Sequence, residues 1–248
     1  MRRIDEWQNI DESAYLYHLS QWVSQKQSTK HFADFLGERL YKALRVIDLG
    51  CGAGAATFYL AKRSPLTSFT GIDYSDELIS CANELAIKNK ANNLIFKTGD
   101  WFKLEEKYEV DGVVSLQTLS WLPEFEKPLI EIFGKLHPNW LAVSSLFYEG
   151  DISCVVNVNE HARNKQSFYN VYSIPAVREF AEKHGYKLIK KSKFQIDIDI
   201  EKPMNSDSMG TYTLLICKDK GPDNERLQIS GPLLMNWWFL LFEKIEDF

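Results

Sequence analysis

The residues whose types and spacing could do chemistry cluster after a short apolar run, Arg45-Val-Ile. There the chain reads Asp48-Leu-Gly50-Cys-Gly52-Ala-Gly54 and passes at once into a helical pattern. Glycines at this alternation let the backbone turn sharply and let a ligand approach where a Cβ would collide. A second apolar run ends in Asp73, 21 residues after Gly52, where an acid can accept hydrogen bonds from both hydroxyls of an adenosine ribose. A third ends in Gly99-Asp100-Trp101, a carboxylate for an adenine amino group with an aromatic wall for its face. Gly50-x-Gly52-x-x-Ala55 also fits the dinucleotide fingerprint, so a nicotinamide-linked oxidoreductase stays open beside other adenosine-cofactor enzymes. Asp48 argues against it, because a dinucleotide fold has an apolar strand residue at that place.

Such a turn needs a strand before it and a helix after it. RVIDLG, SFTGID, NLIFKTGD, VDGVVSL and WLAVSSLFY are short apolar runs separated by helical segments, the βαβ rhythm of a parallel sheet. The intervening helices are predicted over Ala55 to Arg63, from Ser75 as N-cap to about Asn89 with Leu78, Ala82 and Leu85 buried, and around Pro128 to Leu136. In open α/β folds ligands bind at the carboxyl ends of the strands, which adds Ser115-Leu116-Gln117-Thr118 to the candidates. Before residue 45, Leu16, Leu19, Val23, Phe32, Phe35, Leu36 and Leu40 recur at helical spacing and predict a helical preface over 1–44.

The rhythm breaks after the fifth strand. Residues 149–172 form an insertion before a helix from Ile174 to His184, and insertions of this length are often functional. The stretch Phe194 to Glu201 alternates with strict period two and predicts an antiparallel strand, with which TYTLLICKD can pair; RLQIS would return beside it. Leu233, Leu234, Trp237, Trp238, Leu241 and Ile245 recur at helical spacing and predict an amphipathic helix, packed on the sheet or serving as a dimer seam. An antiparallel end is not what a second mononucleotide-binding half would produce.

Composition bounds the partners. With 29 Lys and Arg against 34 Asp and Glu the net charge is −5, which offers no excess for binding nucleic acid. No apolar stretch reaches the roughly 20 residues needed to cross a bilayer. The opening MRRIDEWQNIDESAY lacks the apolar core of a secretory signal, so a cytoplasmic location is expected. Cys51, Cys81, Cys154 and Cys217 lie far apart without metal-ligand spacing, as expected of reduced thiols. Asp197, Asp199 and Glu201 share one strand face without a His or second cluster, so a solvated face and no metal are expected. Lys187, Lys190, Lys191 and Lys193 read as a wet sheet edge.

VIDLGCGAGAAT, GIDYSDELI, TGDWF and VDGVVSLQTLSWLP, in this order and spacing, resemble the class I S-adenosylmethionine-dependent methyltransferases, in particular the bacterial small-molecule type, over about residues 45–219. The later FYNVYS, GTYT and LQISGPLLMNWW are similar to an uncharacterised branch of that family. The resemblance implies a Rossmann-like α/β fold: a mainly parallel seven-stranded sheet with an antiparallel C-terminal edge and helices on both faces. It implies one domain over 1–248, with a cofactor-binding core at 45–148, a substrate-side insertion at 149–172, and the C-terminal helix, strands and aromatic tail at 173–248.

It further implies S-adenosylmethionine as cofactor, S-adenosylhomocysteine as product, and a small-molecule acceptor methylated on O, N or S, by a monomer or homodimer. Gly50, Gly52 and Gly54 would meet the methionine portion, with Asp48 holding the loop or reaching the amino group through water. Asp73 would bind the ribose, Tyr74 and Trp101 would flank the adenine, Asp100 would meet its edge, and Leu116 and Gln117 would line the cofactor. Trp121, Tyr169 and Tyr172 fall where an acceptor should sit, and His161 is the weak candidate for a base; Asn157 and Glu160 share its segment. No Asn/Asp-Pro-Pro-Tyr/Phe stretch of the amino-methylating DNA enzymes is present. A non-catalytic cofactor-binding protein acting through its aromatic tail is the remaining alternative.

Overall fold

A computed structural model describes residues 12–104, 109–161, 165–201, 211–216, 225–230 and 236–245. The preface is helical: α1 (Glu12–Val23), α2 (Gln27–Leu36) and α3 (Glu38–Lys42). Phe32, Phe35, Leu36 and Leu40 are buried as their spacing predicts, but Leu16 and Val23 are 57% and 93% exposed. In α1 it is instead Tyr15, His18, Leu19 and Trp22 that are partly covered.

Five strands follow: β1 (Arg45–Leu49), β2 (Ser68–Asp73), β3 (Leu94–Thr98), β4 (Gly112–Leu116) and β5 (Trp140–Tyr148). They run parallel in the spatial order β3-β2-β1-β4-β5. Between them lie α4 (Ala55–Arg63), α5 (Asp76–Lys88) and α6 (Glu126–Glu131), the last continued by a π-helical turn over Ile132–Leu136. Ser75 caps α5, its hydroxyl accepting from the Leu78 N–H at 3.3 Å.

Beyond β5 the insertion is a hairpin, β6 (Asn157–Glu160) and β7 (Lys165–Phe168), followed by the two-residue β8 (Tyr172–Ser173) beside β5 and then α7 (Ile174–Lys183). β9 (Tyr186–Phe194) is the outermost strand of the main sheet, while β10 (Thr211–Ile216) and β11 (Glu225–Ser230) pair with each other apart from it.

From Asn236 onward the aromatic tail corrects the helical reading, while Leu233 and Leu234 lie outside the described residues. Asn236–Lys244 is a strand, β12, inserted antiparallel between β5 and β9 to complete the order β3-β2-β1-β4-β5-β12-β9. Trp237, Phe239 and Leu241 enter the core on the face shared with α2, α4 and α5, whereas Trp238, Leu240 and Phe242 enter the core beneath α6 and α7. Both faces of the segment are dry, so every residue from Trp237 to Phe242 can be apolar and period two vanishes from the sequence. The same fact removes the tail as a docking helix.

A second correction follows. The antiparallel strand expected over 194–201 ends where that expectation began, at Phe194, because the ladder with β12 runs only from Tyr186↔Lys244 to Phe194↔Trp237. Residues 195–201 lie outside any ladder; Ile200 bonds locally to Thr213, and Asp199 pairs with Arg226. The lysines of β9 do occupy a sheet edge, as expected.

Candidate functional site

The carboxyl ends of β1, β2 and β4 meet at the glycine turn. Gly50, at φ +72°, lets its own N–H and that of Cys51 both donate to the Ile72 carbonyl of β2, at 2.8 and 3.2 Å. A Cβ there would overlap Thr118, whose hydroxyl donates to the Gly50 carbonyl at 3.1 Å. Gly54 is left-handed at φ +81° as the N-cap of α4, and a Cβ on it would overlap the Phe96 ring. The loop therefore stays low over the strand ends.

Two acids lie inside it. Asp73 ends β2 and ties the loop to α5: Gly52 N–H donates to its Oδ2 at 2.8 Å and Ser75 N–H to its Oδ1 at 3.0 Å. Each oxygen keeps a second lone pair for a further donor. Asp48, the last residue but one of β1, is 1% exposed. Its Oδ2 accepts from the Thr57 hydroxyl at 2.6 Å, while Oδ1 is buried with no hydrogen-bond partner.

Burial pushes the Asp48 carboxyl up to about 7, the Thr57 bond opposing it and the neighbouring Asp73 charge adding to it. Burial also raises Asp73, against the pull of backbone donors from Ser75, Gly52 and Tyr74. A desolvated acid pair with one orphaned oxygen is built to receive donors from a ligand, such as an ammonium or hydroxyls. That is the polarity at the amino-acid and ribose ends of S-adenosylmethionine, so these residues fit that group.

The preface roofs the loop, which sequence reasoning missed. Trp22 Nε1–H donates to the Ala53 carbonyl at 2.6 Å, and the ring stacks on Phe58 at 4.6 Å. His18 lies so close that its Cε1 would be 3.2 Å from a Cβ on Gly52. Burial, then the Lys26 charge, lowers its imidazole to about 4, so it is neutral at pH 7. Lys26 Nζ donates to Gln117 Oε1 at 2.9 Å, and Gln117 Nε2 donates to the Ser28 hydroxyl at 3.0 Å. Gln117 itself sits at φ +60°, a conformation that aims its side chain at the preface. In α1 the apolar spacing marks Leu19 correctly but Leu16 and Val23 wrongly, because the face that covers the loop carries His18 and Trp22.

The other sequence candidates divide. Asp100 Oδ1 accepts from Phe102 N–H at 2.9 Å, capping a 3-10 turn at the end of β3. Tyr74 is half-buried beside Asp73. Trp101 is 7% exposed in the core beneath α6, its Nε1–H donating to the Pro128 carbonyl at 3.2 Å. Leu116 is half-buried on the face of α2.

Trp121 and Tyr169 meet edge to face at 5.1 Å on that face, bringing the insertion against the loop after β4. Tyr172 lies on the opposite face, packed edge to face on Phe125, with its hydroxyl donating to the Leu122 carbonyl at 3.2 Å. Its phenol is raised by burial, and the side chain is 2% exposed. Asn170, fully buried, donates to the Leu122 carbonyl and accepts from Val156 N–H, fixing the base of the hairpin. His161 is exposed at the hairpin tip, one residue past Glu160. Cys217 lies outside the described residues.

Comparison with known proteins fits this geometry. The family model described as a methyltransferase domain matches residues 40–209. Trans-aconitate 2-methyltransferase of Mycobacterium tuberculosis is 38% identical over 105 residues, 42% of this chain and 38% of that protein. Malonyl-[acyl-carrier protein] O-methyltransferase of Priestia megaterium is 23% identical over 167 residues, 62% of this chain and 60% of that protein. The chain thus spans less than two thirds of the length of either relative. The crystal structure of magnesium protoporphyrin IX methyltransferase from Synechocystis with bound SAM is similar in fold, with a TM-score of 0.56 at 15% identity over 98% of this chain and 88% of that one. The chain belongs to the methyltransferase-domain family, within the class I S-adenosylmethionine-dependent methyltransferases.

Proposed function

We propose that this chain binds S-adenosylmethionine at the glycine turn and transfers its methyl group to O, N or S of a small-molecule acceptor, leaving S-adenosylhomocysteine. The observation that carries the reading is the buried Asp48, one oxygen of which lacks any donor, with the half-buried Asp73 tied to the loop beside it. In it, Gly50, Gly52 and Gly54 shape the cradle, Asp48 receives the amino group, Asp73 the ribose, Tyr74 and Asp100 the adenine, and Leu116 and Gln117 the region of the sulfonium. The relatives named for trans-aconitate and malonyl-[acyl-carrier protein] support a small acceptor group. A nicotinamide reading loses its footing, because β12 runs antiparallel where a second mononucleotide-binding half would place a parallel strand.

The bound cofactor supplies an electrophilic methyl group with a neutral leaving group. The protein's task is then alignment and dryness. Holding the reactants in line is worth on the order of 7–11 kcal/mol, against about 3–5.5 kcal/mol for a general base. Trp22 closes over Ala53, and Trp121 with Tyr169 forms an apolar wall beside the loop after β4. Residues 1–248 act as one domain in this reading, supported by a tail that is integral to the sheet. The free thiols of Cys51, Cys81 and Cys154 support a cytoplasmic setting. Titration calorimetry tests the assignment: Asp73→Ala should weaken S-adenosylhomocysteine about 100-fold or more, the worth of two charge-assisted hydrogen bonds, and unchanged affinity would overturn it.

A further inference from the structure

Between the end of β4, the middle of β5 and the start of α2 lies a group of hydrogen-bond donors that the loop acids do not use. Lys26 immediately precedes α2, and its ammonium is held at 2.9 Å from Gln117 Oε1 and 5.1 Å from the centroid of the Tyr17 ring. One of its three N–H donors meets Gln117, and of the two N–H donors on Gln117 Nε2 one meets Ser28. α2 is ten residues long, has no acid in its first turn and buries Ser28 and Thr29 there, so its amino end presents positive polarity.

The independent observation is Ser144. It is 1% exposed and its hydroxyl has no hydrogen-bond partner. The register pairs Ser144 with Leu116 on one side and Phe239 on the other, and the Phe239 ring packs on Phe32 and Phe35 of α2. The orphaned hydroxyl therefore lies on the face that α2 covers, and Gln117 N–H bonds to the Ser144 carbonyl at 2.7 Å. Around it the walls are apolar: Leu116, Phe239, and the Trp121–Tyr169 pair.

An ammonium and an amide N–H at the start of α2, with an unpartnered hydroxyl on the sheet face that α2 covers, suit a ligand that is acceptor-only at one end and apolar at the other. A carboxylate offers two oxygens with about four lone-pair sites, whereas a protonated amine would meet Lys26 as a like charge. We propose that the methyl acceptor is a carboxylic acid with an apolar body, whose carboxylate is received by Lys26, Gln117 and Ser144. This rests on the methyl-transfer reading.

The test keeps the two apart. Wild-type protein is first titrated with S-adenosylhomocysteine; failure to bind overturns the methyl-transfer reading before any acid is added. The S-adenosylhomocysteine-loaded protein is then titrated with octanoate and with octylamine, probes of equal length and opposite charge, following tryptophan fluorescence. Octanoate should bind about tenfold or more tighter than octylamine, and Lys26→Gln should erase that preference while changing S-adenosylhomocysteine affinity by less than about threefold. Ser144→Ala, which removes an unpartnered group and leaves the fold intact, should weaken octanoate about three- to tenfold. Equal binding of the two probes, binding of neither, or a loss in Lys26→Gln that falls on S-adenosylhomocysteine instead would overturn the proposal, the last outcome assigning the donors to the cofactor's own carboxylate.

Discussion

Replacing Asp48 by Asn isolates the electrostatics of the loop. The native carboxyl is displaced from 3.8 to about 7, chiefly by burial, so the folded protein holds its proton more tightly than the unfolded chain. The sign follows from linkage: stability contributed by this group is highest below about pH 4 and declines as pH rises toward 7, where the carboxylate must ionise in a dry site. At 1.36 kcal/mol per pH unit the full decline amounts to about 4 kcal/mol. Asn keeps an oxygen for the Thr57 hydroxyl but carries no charge; its amide N–H₂ replaces the orphaned oxygen and costs about 1–3 kcal/mol at every pH.

The variant should therefore be the less stable protein near pH 4 and the equal or more stable one at pH 8. The measurement is urea denaturation of both proteins at half-unit steps from pH 4 to 8.5, reading the difference between the two curves, which cancels the other titrating groups. A difference that stays constant across that range would refute the buried-acid argument. Because a ligand ammonium would favour the ionised carboxylate, S-adenosylhomocysteine affinity of the wild type should also rise with pH toward about 7 and lose that rise in the variant.

Gly54→Ala should destabilise the fold by about 1–3 kcal/mol, since the residue is left-handed and its Cβ would overlap Phe96; denaturation within about 0.5 kcal/mol of wild type would show that the turn tolerates a side chain. Phe239→Ala should cost about 3–5 kcal/mol, because Phe239 is 2% exposed and packs against Phe32, Phe35 and Phe194. On an amphipathic helical tail the same residue would face away from the apolar stripe, and the substitution would be nearly neutral in the same denaturation experiment.

The parallel half of the fold was legible because each of its elements carries its own punctuation. α4 starts at the left-handed Gly54, α5 at the Ser75 cap, and β1, β2 and β3 run into the acids and glycines that end them. In the C-terminal half α7 carries such marks, its Ser173 cap and Pro175, but the strands do not. β12 is buried on both faces, so its apolar run is compatible with either period, and its place between β5 and β9 is set by partners about 40 to 100 residues away in sequence. The alternation of residues 194–201 is real, yet no strand lies beside them to pair with in the main sheet.

The site divides in the same way. Asp48, Gly50, Gly52, Asp73 and Gln117 converge because they close successive parallel strands, a geometry that spacing alone can carry. Trp101 and Tyr172 enter the core beneath α6 and α7, and residue type does not say which face of the sheet a side chain joins. His18, Trp22 and Lys26 were missed because only the tertiary fold brings α1 and its linker over the loop.

The central claim, that the glycine turn and its two acids receive S-adenosylmethionine, is tested most directly by a crystal structure of the protein grown with S-adenosylhomocysteine. The predicted result is the ligand over Gly50 and Gly52, its ribose hydroxyls bonded to Asp73 and its amino group satisfying Asp48 Oδ1. A ligand bound elsewhere on the sheet, or Asp48 Oδ1 still without a donor in the complex, would contradict the account.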